Sequence, residues 1–144
     1  LNNLHLDIEK LIPHRGRMKL IDNVLDINAD TAVTSSLVSD QWPLFNGSSV
    51  DPIILIELVA QTAGVHISWK KGDDKGGGGT GWIVGIKSAD FFLYRIPLFT
   101  PLITTVNNLY CAENYNVLEG TVTSGEEILG RIQIQVFRSE SGLV

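Results

Sequence analysis

Glu57 is the single carboxylate in the middle of the most apolar stretch of this 144-residue chain, FNGSSVDPIILIELVAQTAG at residues 45–64. At about 100° per residue, a helix through this stretch aligns Glu57 with Gln61, Gly64 and Ser68, giving a polar seam among Ile53, Ile54, Leu58, Ala60 and Val65. A carboxylate in such surroundings either finds hydrogen-bonding partners or takes up a proton, and both outcomes suit acid–base chemistry. They suit a subunit interface equally well, with the carboxylate bonded across to backbone or to Gln61. Three histidines are available as partners. His66 falls about 180° round the helix from Glu57 and is expected to complement the dipole at the helix C-terminus. His5 belongs to an N-terminal segment expected to be mobile. The run Gly76 to Gly79 invites a phosphate-loop reading, but that motif needs a lysine and then a serine or threonine opening a helix. Here Thr80, Gly81 and Trp82 open an apolar strand, so a linker is expected.

The elements that must position Glu57 are legible in outline. Asp51 is a possible N-cap, Pro52 suits the first helical position, and Trp69, Lys70, Lys71 and Gly72 close a helix of about five turns. Its start could direct N–H groups at an anion or a carbonyl oxygen, with Pro52 removing one donor. Before it, MKLIDNVLDINAD and TAVTSSLVSD read as two strands joined near Asn28 to Asp30. After it, the flexible connection GDDKGGGGTG leads into WIVGIKSADFF, PLITTVNNLYCAEN, YNVLEGTVTSG and EEILGRIQIQVFR, an antiparallel set. This is an α+β chain in which a sheet wraps one mostly apolar helix, and residues 1–144 are expected to form one domain.

Composition excludes several classes. A net charge of −5 argues against nucleic acid or an anionic membrane as partner. Cys111 is the only cysteine, so no internal disulfide and no cysteine-based metal site is possible; no metal and no cofactor is expected. No apolar run approaches the roughly 20 residues of a membrane span, and LNNLHLDIEK lacks the pattern of a signal peptide, so a soluble cytoplasmic protein is expected. Lys10, Arg15, Arg17 and Lys19 form a local basic cluster that could meet an acidic partner or phosphates, although a solvated basic surface is the preferred reading.

Three segments carry a family resemblance: LIPHRGRMKLIDNVL at 11–25, FNGSSVDPIILIELVAQTAG at 45–64 and VGIKSADFF at 84–92. In order and spacing they resemble the signature regions of the β-hydroxyacyl-acyl-carrier-protein dehydratases, and most closely the dehydratase-like proteins of aryl polyene biosynthesis clusters. The resemblance implies a hotdog fold, a curved antiparallel sheet around a central helix, normally assembled as a homodimer with acyl tunnels at the subunit interface. It places Glu57 at the family's catalytic glutamate, which works with a histidine from the other subunit. That histidine is missing. Phe45, Asn46 and Gly47 match the Phe-Pro-Gly that follows it, which puts Leu44 in its place, and residues 42–45 contain no imidazole in any register. His14, in the first motif, is read as structural. By the same resemblance Leu44, Phe45, Gly47, Ile53 and Gln61 are expected to bind substrate.

Dehydration needs a base beside the thioester carbonyl and an acid for the departing hydroxyl, and one carboxyl supplies only one at a time. The function the resemblance implies is that of a 3-hydroxyacyl-[acyl-carrier-protein] dehydratase-like protein of fatty acid or polyene biosynthesis, a hydro-lyase acting on carrier-protein or coenzyme A thioesters. One alternative is a hotdog thioesterase, which needs no histidine. The other is a non-catalytic acyl-binding subunit partnering an active dehydratase that supplies the histidine. The assembly is expected to be a homodimer or a heterodimer with another hotdog subunit.

Overall fold

The computed structural model describes residues 4–72 and 81–139. The expected glycine-rich connection lies, apart from its ends, outside them. The chain runs through a short helix α1 (Ile8–Leu11), a 3-10 turn (Gly16–Met18), strands β1 (Asn23–Ile27), β2 (Thr31–Leu37) and β3 (Ser49–Val50), and the long helix α2 (Ile54–Lys71). Strands β4 (Gly81–Phe91), β5 (Ile96–Pro97), β6 (Pro101–Cys111), β7 (Tyr115–Ser124) and β8 (Glu127–Ser139) follow.

Six strands form one antiparallel sheet in the order β1-β2-β6-β7-β8-β4, and β3 pairs with β5 in a separate ribbon. The sheet curls round α2, giving the expected hotdog arrangement. Alternation decides its inner face. Ala32, Thr34 and Ser36 on β2, Leu102, Thr104 and Val106 on β6, Leu118 and Val122 on β7, and Ile132, Ile134 and Val136 on β8 are all buried. Small residues face the helix on β2, where Thr34 Oγ1 meets Thr62 Oγ1 at 2.9 Å. At Gly120 of β7 the helix comes closer still: a Cβ there would lie 2.6 Å from Val59 Cγ2 and 3.0 Å from Val59 Cβ. Leu55, Leu58, Val59 and Ala63 of α2 complete the core.

The start of α2 differs from expectation by one tight turn. Ile54 N–H donates to Asp51 O and Leu55 N–H to Pro52 O, so Pro52 lies in the turn before the helix, where its missing N–H costs nothing. Asp51 caps that turn, its Oδ1 accepting from Ile53 N–H at 3.0 Å. At the far end Gly72 takes the left-handed conformation, φ 60° and ψ 42°, that closes a helix without side-chain strain. The N-terminal segment is tied to the sheet, since Leu4 N–H donates to Val24 O at 2.9 Å just before His5.

Candidate active site

Helix α2 is not equally covered along its length. Residues 61–68 are all buried, whereas Ile53, Ile56, Glu57 and Ala60 keep exposed surface. These four recur at helical spacing, so they form one stripe on the N-terminal half of the helix, apolar except for Glu57. The Glu57 side chain is 35% exposed, less enclosed than its apolar neighbours suggested.

The first sequence motif meets this stripe at Glu57, held by Arg15, by Gln61 and by three buried apolar side chains. Arg15 acts on its own backbone: its guanidinium donates to the carbonyls of Ile12 and His14 at 2.8 Å and of Glu9 at 2.7 Å, and pairs with the Glu9 carboxylate at 3.2 Å. Gln61 ties the motif to the helix, accepting from Leu20 N–H at 3.0 Å and donating to Met18 O. Buried Ile12, Leu20 and Ile21 anchor the motif's apolar side. His14 is thereby delivered to Glu57, with Nε2 3.4 Å from Glu57 Oε2. Gln61 Nε2 also donates to Glu57 Oε2, at 3.2 Å. Both polar contacts fall on one carboxylate oxygen; among the described residues, no hydrogen bond reaches Oε1.

Several expectations change here. Gln61 is fully buried and its amide is spent on Leu20, Met18 and Glu57, so it holds the site together and cannot line an acyl tunnel. The start of α2 has no donors to spare for a thioester carbonyl, because the N–H groups of Ile53 to Ile56 are all bonded within the turn. The basic cluster is divided: Arg15 and Lys19 pair with Glu9, and Arg17 donates to Gln41 O at 2.8 Å. His66 does not serve the dipole as a cation. It is buried on the far side of α2 with Nε2 2.8 Å from Asn28 O, and burial, the largest influence, pushes its pKa below the ordinary 6.5. His14, read as structural, is the histidine that reaches Glu57. The available signal was its place in a motif whose arginine brackets it with backbone bonds.

Leu44, Phe45 and Gly47 lie on the loop between β2 and β3. Asn46 Oδ1 accepts from the N–H groups of Ser48 and Ser49, and Arg95 bonds Ser49 through Oγ and O at 2.9 Å each, bolting the loop to the β5 segment. Leu44 has φ 68°, a left-handed conformation unusual for leucine, and is half exposed; Gly47 at φ 104° occupies a conformation suited to glycine. Ile53 is half exposed on the same stripe as Glu57, and Phe45 is half buried. No hydrogen bond or ion pair among the described residues joins the Leu44 loop to Glu57.

A family model described as ApeP-like, ApeP dehydratase, matches residues 6–143. The chain belongs to this family. Among curated relatives, the 3-hydroxyacyl-[acyl-carrier-protein] dehydratase FabZ of Streptococcus pneumoniae strain CGSP14 is 39% identical over 75 residues, which cover 49% of this chain and 53% of the relative. The FabZ of S. pneumoniae serotype 4 strain TIGR4 matches equally well over 74 residues. The chain thus spans about half the length of the curated relatives it matches. Among solved structures, the dehydratase heterocomplex ApeI:P from Xenorhabdus doucetiae aligns with TM-score 0.82 at 18% identity, over 94% of this ApeP-like chain and 93% of that one. A hypothetical thioesterase with coenzyme A from S. pneumoniae TIGR4 aligns with TM-score 0.61 at 15% identity, over 81% and 84%. At these identities the likeness is one of fold, and it is the hotdog fold.

Proposed function

We propose that this chain is a subunit of a 3-hydroxyacyl thioester dehydratase in which Glu57 is the acid and a second hotdog chain supplies the base. The observation that carries the reading is the state of Glu57: among the described residues one oxygen is held by protein groups while the other is unengaged, and the apolar stripe around it keeps exposed surface. A second subunit laid over Ile53, Ile56 and Ala60 would exclude water and bring its own loop to Glu57. Its imidazole would take the proton beside the thioester carbonyl while Glu57 gives a proton from Oε1 to the departing hydroxyl. The carbon–oxygen bond breaks, water and the trans-2-enoyl thioester leave, and the proton returns from imidazolium to Glu57. With Leu44 at the position of the missing histidine, the reciprocal site would be inactive, which favours a heterodimer over a homodimer. The ApeI:P relative is itself described as a heterocomplex.

The test presents 3-hydroxyacyl and saturated acyl thioesters, on carrier protein and on coenzyme A, to the chain alone and with a companion hotdog dehydratase bearing the histidine. Enoyl product appearing only in the mixture supports the proposal. Release of free thiol from saturated thioesters by the chain alone would instead establish a thioesterase.

A further inference from the structure

We infer that His14 is a positioning residue for Glu57, fixing one carboxylate oxygen so that the other is presented to the substrate; naming that substrate a 3-hydroxyacyl thioester rests on the reading above.

Three features of the structure converge on it. His14 Nε2 and Gln61 Nε2 address the same oxygen of Glu57, Oε2, at 3.4 and 3.2 Å from two different elements, one from the segment before β1 and one from α2 itself. Two contacts on one oxygen fix the plane of the carboxylate and leave Oε1 directed away from them. The imidazole is committed as well: its Nδ1 is buried without a partner, so a proton there would have no acceptor, and the ring's N–H belongs on Nε2, the nitrogen nearest Glu57. With Nδ1 enclosed, the ring has no second nitrogen to offer a substrate and acts only through Glu57. Finally, the carbonyls of Ile12 and His14, on either side of the His14 Cα, are both held by Arg15, so the histidine is presented by fixed backbone. A separation of 3.4 Å is long for a hydrogen bond, and such contacts shorten when a site is covered and occupied.

The test uses the complex with the companion dehydratase and steady-state dehydration of a 3-hydroxyacyl thioester. Misplacing a reacting group by a fraction of an ångström to 1 Å costs up to about a hundredfold in rate. His14→Ala is therefore expected to lower kcat by roughly ten- to hundredfold with KM within about twofold, and His14→Gln, which keeps a neutral donor, to recover most of the loss. Unchanged kcat in a folded His14→Ala complex would overturn the inference. So would a folded His14→Gln complex as impaired as His14→Ala, because a role that a donating amide cannot fill is not positioning. If the wild-type complex dehydrates nothing, the dehydratase reading fails, and His14 is judged on the isolated chain by the nitrogen NMR shifts of its ring. The N–H is expected on Nε2 in both proteins, with the Nε2 shift displaced in Glu57→Leu, where its carboxylate neighbour is gone. Identical ring spectra in the two proteins would overturn the pairing.

Discussion

Replacing Gln61 by leucine separates a group that holds the site from one that touches substrate. Leucine fills nearly the same volume, so the perturbation is the loss of three amide contacts: Leu20 N–H, Met18 O and Glu57 Oε2. Leu20 is 1% exposed, and its N–H would be left in the interior without an acceptor, at a cost of about 1–3 kcal/mol. Met18 is 46% exposed, so its carbonyl finds water and contributes little. For a chain of this size about 3 °C of melting temperature corresponds to 1 kcal/mol, which places the expected fall in Tm at roughly 3–9 °C. Thermal melts of wild type and Gln61→Leu, alongside dehydration assays of the same preparations, measure both consequences. Turnover should fall too, because Glu57 loses one of its two anchors. A variant with unchanged Tm and abolished turnover would refute the reasoning and return Gln61 to the acyl-binding surface.

Gly120→Ala should destabilise by about 1–3 kcal/mol, because the new methyl meets Val59 at 2.6 Å; adding Val59→Ala should make the double variant more stable than the sum of the two single effects, by denaturant titration. His66 gives an acid-side signature. Burial holds its folded pKa below the unfolded value near 6.5, so the stability it contributes is full above about pH 6.5 and is lost as pH falls from there toward the folded pKa; His66→Gln should flatten the drop in Tm between pH 7 and 5. Leu44→His should fold normally, since histidine enters the left-handed region more readily than leucine, and should raise dehydratase turnover in self-associated protein; no gain in a soluble dimeric variant would contradict the assignment of Leu44 to the histidine position.

How far the sequence is legible depends on the range over which each signal acts. The long helix announces itself through Pro52, a helical apolar pattern and Gly72, all local, and only the tight turn at Asp51 shifts its start. The six long strands announce themselves through alternation, but alternation does not say which face is inside. On β2 the small set Ala32, Thr34 and Ser36 faces the helix, a choice made by the close approach of α2. Strands β3 and β5 are two residues each, too short for periodicity, and are set by their pairing with each other and by the bridge from Phe45 to Val50. At the site, Glu57 was visible because an acidic residue is rare on an apolar helix face. The approach of His14 was not, because it depends on a tertiary contact between segments distant in sequence. Gln61 is only partly legible for a related reason: its helical position puts it beside Glu57, while its burial is decided by the N-terminal motif bonded to it.

Glu57→Gln, assayed in complex with a companion hotdog dehydratase, bears most directly on Glu57 as the acid of a site shared between two chains. Glutamine keeps the size and much of the hydrogen bonding of glutamate but carries no transferable proton. Turnover of a 3-hydroxyacyl thioester should fall by on the order of a hundredfold or more while Tm and complex formation stay near wild type. Retained turnover with a lowered Tm or a dissociated complex would contradict the assignment and make Glu57 a structural carboxylate of the subunit interface.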